Sequence, residues 1–137
     1  IDASAAVAAN FHWDTLNRQV RIEGIAVRSP SAESDAYFAS RDRDSQLGAW
    51  ASQQSSPIAS RADLLQAMED ARLRFPDGPV PRPQHWGGYR IWICALELWS
   101  RGSARMHDRA RWARELAPQS TAGEFVTTAW TVTRLQP

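Results

Sequence analysis

Alternating apolar and polar residues at both ends of the chain, with helical spacing confined to its middle, constrain the fold more than any other property of this sequence. Between Gln19 and Val27, the residues Val20, Ile22 and Gly24 share one side and Gln19, Arg21 and Glu23 the other, the pattern of a half-buried strand. A second apolar run, Ala5 to Trp13, precedes it. The polar tetrapeptide Asp14-Thr15-Leu16-Asn17 between them predicts a hairpin. Further strands are predicted from Tyr89 to Trp99, from Arg105 to about Ala113, and from Phe125 to Leu135, with Glu115 to Gly123 as a surface loop.

In the middle, Ser29-Pro30-Ser31 is a helix-start signal, because Ser can cap free amides and Pro is tolerated in a first turn. The helix is expected to run to about Arg41. Asp42 to Asp44 interrupt it, and Ser45 to Ser52 read as a short second helix. Ser60-Arg61-Ala62-Asp63 resembles a capping box with Asp in place of Glu, and Leu64, Met68, Ala71 and Phe75 follow at helical spacing. Pro76-Asp77-Gly78-Pro79 ends that helix, and Pro79, Pro81 and Pro83 predict an extended connector to Trp86. Without regular strand–helix alternation a doubly wound sheet is excluded. The pattern predicts an α+β fold, mainly β, with helices outside an antiparallel sheet.

The 137 residues and 43% apolar content suit one domain, residues 1–137. A net charge of +1 gives no basic field for nucleic acid or anionic membrane, so neither partner is expected. All 16 basic residues are Arg, which excludes Schiff-base chemistry on a lysine of this chain. Cys94 sits in an apolar run and reads as a packing residue. His12, His85, Cys94 and His107 lack metal-ligand spacing, so no metal is expected. The Ala-rich opening, Ala3 to Ala9, lacks the basic flank of a signal peptide, and no apolar stretch approaches a bilayer span. A soluble, cytoplasmic protein is expected.

Two constellations could carry chemistry. Arg105-Met106-His107-Asp108-Arg109 would, in an extended strand, turn two guanidiniums and an imidazole to one face, suited to binding an anion and moving a proton. A solvated edge strand is the alternative. Tyr37, Arg41 and Ser45 fall four residues apart, so one helix face, if the helix runs that far, would offer a phenol, a guanidinium and a hydroxyl to a phosphate. A solvated helix face fits the same spacing.

Several runs resemble the FMN-dependent pyridoxine (pyridoxamine) 5'-phosphate oxidases in order and spacing. They are Arg18 to Gly24, Ser34 to Arg41, Ser45 to Ser55, Val80-Pro81-Arg82-Pro83, Trp86-Gly87-Gly88-Tyr89-Arg90, Arg105 to Arg109, and Arg134-Leu135-Gln136-Pro137. The resemblance implies an FMN-binding split β-barrel with Greek-key antiparallel strands and peripheral helices, in a homodimer with flavins at the subunit interface. It implies that Tyr37, Arg41 and Ser45 hold the substrate's 5'-phosphate, and that Gln19, Gln54, Ser55, Trp99 and Arg109 contact FMN. Arg105 and His107 would form the catalytic pair over the substrate's pyridine ring, with Met106 beside them where the family more often has Leu. Trp50, Trp86, Trp92, Trp112 and Trp130 are left to core or dimer interface.

The family's R-x-V-L-L-K-type and Y-T-x-x-S-x-K-type runs, which hold the FMN phosphate, do not occur in this sequence. The expectation is therefore a C-terminal two-thirds of a longer protein. Other departures are Asp42 for the usual Pro, and Leu96 to Arg101 for the family's I-E-F-W-Q-G, with Gly102 positioned to restore the turn. The implied activity is O2-dependent oxidation of pyridoxine or pyridoxamine 5'-phosphate to pyridoxal 5'-phosphate with release of H2O2. A related flavin oxidase of phenazine biosynthesis and a non-catalytic flavin- or pyridoxal-phosphate-binding module are the alternatives.

Overall fold

A computed structural model describes residues 4–137, so the opening of the alanine-rich segment, Ile1 to Ala3, lies outside the described residues. The chain divides into two compact units, one formed by residues up to Arg28 with Tyr89–Pro137, the other by Ser29–Gly88.

In the first unit β1 (Ala6–Trp13), β2 (Arg18–Arg28), β3 (Tyr89–Ser100), β4 (Asp108–Ala113) and β7 (Thr131–Leu135) form an antiparallel sheet in the order β1-β2-β3-β4-β7. The expected hairpin is present. Its turn is closed by Leu16 N–H to the Trp13 carbonyl (3.2 Å) and Asn17 N–H to that of Asp14 (3.1 Å), with Asn17 at φ 49°, a region Asn enters more readily than most residues. The expected single strand Phe125 to Leu135 is instead two. Thr128 N–H donates to the Glu115 carbonyl (3.2 Å) and its hydroxyl accepts from Glu115 N–H (3.0 Å), which turns the chain out of one ladder before it enters the next. Part of the expected loop Glu115 to Gly123 is likewise a strand: β5 (Leu116–Pro118) pairs with β6 (Phe125–Thr127) in a separate ribbon.

Strand register sorts the side chains. Phe11, Val20, Leu98 and Ala110 stand in one cross-strand row, and Ile22, Leu96, Trp112 and Val132 in the next, giving an apolar face. Much of it is open, with Phe11 48% and Leu98 42% exposed. The opposite face is polar. A bulge interrupts β2 and β3: Glu23 pairs with Ala95 and Gly24 with Ile93, leaving Cys94 without a partner in the ladder. Gly24 is required there, because a Cβ would lie 2.2 Å from the Trp92 carbonyl oxygen.

The second unit contains α1 (Ser31–Ala39), α2 (Arg43–Ala51) and α3 (Arg61–Arg74). Helix α1 ends two residues short of the expected Arg41, and α2 starts at Arg43 rather than Ser45. The reason lies in two polar side chains. Asp42 caps α2, its carboxylate accepting from Ser45 N–H at 2.8 Å, and buried Gln46 reaches back from α2 to donate to the carbonyls of Phe38, Ala39 and Arg41. Ser29 is not a cap; Pro30 holds that position without a side-chain hydrogen bond, and its carbonyl accepts from Glu33 and Ser34. Ser60 does cap α3, accepting from Asp63 N–H at 3.1 Å. The core joins Phe38, Leu47, Ala71 and Val80, with Trp50, Met68, Phe75 and Trp86 packed against it. Leu64 lies outside that core at 41% exposure, so α3 buries a narrower stripe than its spacing predicts.

Candidate functional site

Gln19, Trp99 and Arg109 are direct cross-strand partners, Gln19 opposite Trp99 and Trp99 opposite Arg109, so their side chains form one row on the polar face of the sheet. A carboxamide, an indole and a guanidinium from three strands are thereby brought together. Arg109 is held in place. Its Nε and Nη2 each lie 2.8 Å from Glu97 Oε1, and its Nη1 donates to the Gln136 carbonyl at 3.0 Å. Beside this pair, Arg111 contacts both carboxylate oxygens of Glu23 (3.3 and 3.1 Å) and Arg21 reaches the same group at 2.9 Å. The hydrogen bonds from Arg111, followed by the charges of Arg111 and Arg21, hold the Glu23 carboxyl below its usual range.

The segment before β4 differs from the expected strand. Ser103–Arg105 form a single 3₁₀ turn, and β4 begins only at Asp108, so strand alternation does not place Arg105, His107 and Arg109 on one face. Ala104 (φ 49°) and Arg105 (φ 63°) both occupy the left-handed region, and His107 N–H closes a tight turn onto the Arg105 carbonyl at 2.9 Å. Gly102 makes the turn possible through its missing side chain, since a Cβ would meet the Met106 carbonyl oxygen at 1.8 Å. Two successive non-glycine residues with positive φ mark a backbone whose conformation is imposed by its surroundings, a frequent property of binding sites. The turn delivers His107 against Trp99, ring centroids 4.8 Å apart, with Nδ1 accepting from Gly102 N–H at 3.3 Å. Met106 is 70% exposed beside it. Arg101, which replaces the family's Gly, donates to Asn17 Oδ1 (3.1 Å) and ties this turn to the β1–β2 hairpin.

Within the second unit, Tyr37 belongs to α1, Arg41 to the α1–α2 junction and Ser45 to the first turn of α2, so the single helix face expected for them does not exist. Trp86 links two of them instead. Its ring lies 5.7 Å from that of Tyr37, and the Arg41 guanidinium sits over it at 5.3 Å. An open cleft of about 380 Å³ gathers Arg41, Ser45, Gln54, His85 and Trp86, while Tyr37 lines an adjoining hollow that Trp86 shares. Ser55 adopts φ 65°, another non-glycine residue in the left-handed region. Asp42, the departure from the family's Pro, has its carboxyl lowered by its hydrogen bonds to Ser45.

Three contributors escaped the sequence reading. Trp86 was expected only to pack, His85 was considered only as a metal ligand, and Glu97 was not singled out, although a lone carboxylate between Leu96 and Leu98 in an apolar strand was a usable signal. Among the described residues no group of three His, Cys, Asp or Glu side chains is arranged to hold a metal, and no helix is long and apolar enough to cross a membrane.

Comparison with known proteins bears on the family and the fold. Residues 1–75 match the family model described as pyridoxamine 5'-phosphate oxidase, and residues 86–137 match the pyridoxine 5'-phosphate oxidase C-terminal dimerisation region. The pyridoxine/pyridoxamine 5'-phosphate oxidase of Rubrobacter xylanophilus is 51% identical over 115 residues, covering 84% of this chain and 53% of that protein. The enzyme of the same name from Cereibacter sphaeroides is 42% identical over the whole chain and 64% of its own length. The chain thus spans between about half and two-thirds of these relatives. Among solved structures, PhzG from Burkholderia lata in complex with tetrahydrophenazine-1-carboxylic acid superposes with a TM-score of 0.77 at 27% identity, covering 97% of this chain and 59% of that one. A pyridoxamine 5'-phosphate oxidase-related, FMN binding protein from Nostoc punctiforme superposes at 0.65 with 12% identity, over 99% of this chain and 65% of its own, which speaks for the fold alone. The architecture is that of the split-barrel proteins. Within that class, the chain belongs to the pyridoxine/pyridoxamine 5'-phosphate oxidase family.

Proposed function

We propose that this chain is the substrate- and flavin-contacting part of an FMN-dependent oxidase that converts pyridoxine or pyridoxamine 5'-phosphate to pyridoxal 5'-phosphate. Oxygen is the final electron acceptor and leaves as H2O2; the amine substrate also consumes a water and releases ammonia. The observation that carries this reading is the row Gln19, Trp99, Arg109 with the His107 ring against Trp99. Its donor set suits an isoalloxazine: a carboxamide can both donate and accept, a guanidinium offers a fixed fork, and an indole gives a flat apolar neighbour. Gln19, Trp99 and Arg109, with Gln54 and Ser55, would hold FMN. When bound, FMN supplies the acceptor for the hydride leaving the substrate's C4'.

The remaining roles fall to the chain itself. Arg105 brings a fixed cation to the electron-rich side of the pyridine ring, and His107, whose Nδ1 is engaged by Gly102 N–H, offers Nε2–H as a hydrogen-bond donor to negative charge that builds on the substrate. Met106 contributes an apolar contact. Tyr37, Arg41 and Ser45 hold the 5'-phosphate, with Arg41 as the cation. A homodimer and a cytoplasmic location complete the proposal; the match to a dimerisation region supports the former.

A second reading, oxidation of a reduced phenazine, is favoured by the likeness to PhzG. It gives Arg41 and Ser45 no phosphate to bind. The test is turnover by the full-length protein containing this chain, reconstituted with FMN, on pyridoxine 5'-phosphate and on a dihydrophenazine carboxylic acid, followed by H2O2 release. Arg105→Ala and His107→Ala should each lower turnover of the phosphorylated vitamer by about a hundredfold or more with flavin content unchanged. Preferential oxidation of the phenazine, or unchanged turnover in both variants, overturns the reading.

A further inference from the structure

We propose that Glu97 is a positioning residue that fixes the guanidinium of Arg109 for the flavin, an inference that rests on the FMN reading above. Glu97 is only 7% exposed, in the middle of β3 between two leucines that face the other way. A carboxylate in such a place is costly unless its charge is paired and its oxygens are hydrogen-bonded. Here Oε1 receives both Nε and Nη2 of Arg109 at 2.8 Å, a side-on grip that sets the plane as well as the position of the guanidinium.

The neighbouring charges sharpen the assignment. Arg21 and Arg111 lie directly opposite Glu97 on the two flanking strands, closer in register than Arg109, yet both donate to Glu23. Glu23 thus occupies the flanking cations, while Glu97 grips Arg109. The Gln136 carbonyl takes Nη1 from another side at 3.0 Å. A guanidinium has five N–H donors, so after these three contacts one N–H remains on each terminal nitrogen. Three guanidiniums against two carboxylates also leave this patch with one net positive charge, suited to an electron-accepting heterocycle that gains negative charge on reduction.

The test uses the full-length protein and FMN, with flavin affinity read by fluorescence quenching well below the melting temperature. Arg109→Ala and Glu97→Ala should each weaken FMN binding by about tenfold or more, and the double variant should be no worse than Arg109→Ala alone, because both changes abolish one interaction. Glu97→Gln keeps an oxygen acceptor of the same shape while removing its charge. It should retain most of the affinity and shift the flavin reduction potential to a more positive value, which a purely structural residue would not do. Wild-type FMN affinity in folded Glu97→Ala, with affinity lost in Arg109→Ala, overturns the positioning role alone. An unchanged potential in Glu97→Gln also counts against it. Wild-type affinity in Arg109→Ala removes the flavin role of Arg109 and this inference with it.

Discussion

The Nδ1 atom of His107 accepts a hydrogen bond from the backbone N–H of Gly102 at 3.3 Å while the imidazole lies against the ring of Trp99. A backbone amide can only donate, so this contact requires Nδ1 to be unprotonated, and the neutral ring must carry its proton on Nε2. The nitrogen left for other partners is then a donor. Nitrogen NMR of protein labelled in its histidines should show His107 as the Nε2–H tautomer when neutral; an Nδ1–H signal would contradict the geometry.

Two glycines should respond oppositely to the same substitution. A Cβ on Gly102 would overlap the Met106 carbonyl, so Gly102→Ala must displace the turn that carries His107, at a cost of about 1–3 kcal/mol. Gly48 lies within α2 with nothing inside 4 Å of an added Cβ, and Gly48→Ala should stabilise by about 0.5–1 kcal/mol through helix propensity. Thermal melts of the two variants against wild type check the pair.

Asp42 gives the α1–α2 junction a pH dependence. Its carboxyl titrates below the ordinary range because the ionised form accepts hydrogen bonds from Ser45. A group with a lowered folded-state pKa stabilises the fold above its unfolded value, and that contribution is lost as pH falls through the folded value. Asp42→Ala should therefore melt below wild type at neutral pH, with the gap closing as the solution is taken below the carboxylate range. A gap independent of pH would show that the capping charge is not responsible.

Arg41 should discriminate between phosphate binding and packing. If its guanidinium holds a phosphate, Arg41→Ala raises KM for pyridoxine 5'-phosphate by the equivalent of roughly 1.5–3 kcal/mol while flavin affinity stays near wild type. Because Arg41 also covers the ring of Trp86, Arg41→Met tests packing separately: it retains apolar cover without charge and should show the same KM defect. Recovery of KM in Arg41→Met would assign Arg41 to packing.

The parts of this fold that were legible were those written in local chemistry. The polar tetrapeptide Asp14 to Asn17 marked its hairpin, and Ser60 with Asp63 marked the start of α3. The turn before β4 was not legible, since Ala104 and Arg105 are residue types that ordinarily avoid positive φ; Gly102 and the packing of His107 on Trp99 impose it from outside the segment. Nor could the sequence show that Gln19, Trp99 and Arg109 are neighbours. Alternation assigns each to a face of its own strand, whereas their alignment depends on register across three strands joined by turns and a whole helical unit. The division of Tyr37, Arg41 and Ser45 between two helices was hidden for a related reason: Gln46, which closes α1, acts from the next helix.

The unpaired residue at Cys94 has a consequence for how β3 must be counted. In an uninterrupted strand Trp92 and Trp99, an odd number of positions apart, would point in opposite directions. The skipped position reverses that parity: Trp92 pairs with Ile25, on the same side as Glu23 and Gln19, and so shares a side with Trp99. Cys94 thus works as a phase shift in the strand. Deleting Cys94 would leave the two tryptophans six positions apart and still on one side, whereas drawing Cys94 into the ladder as a paired residue would turn one half of β3 over relative to the other and carry one of the two tryptophans through to the wrong face.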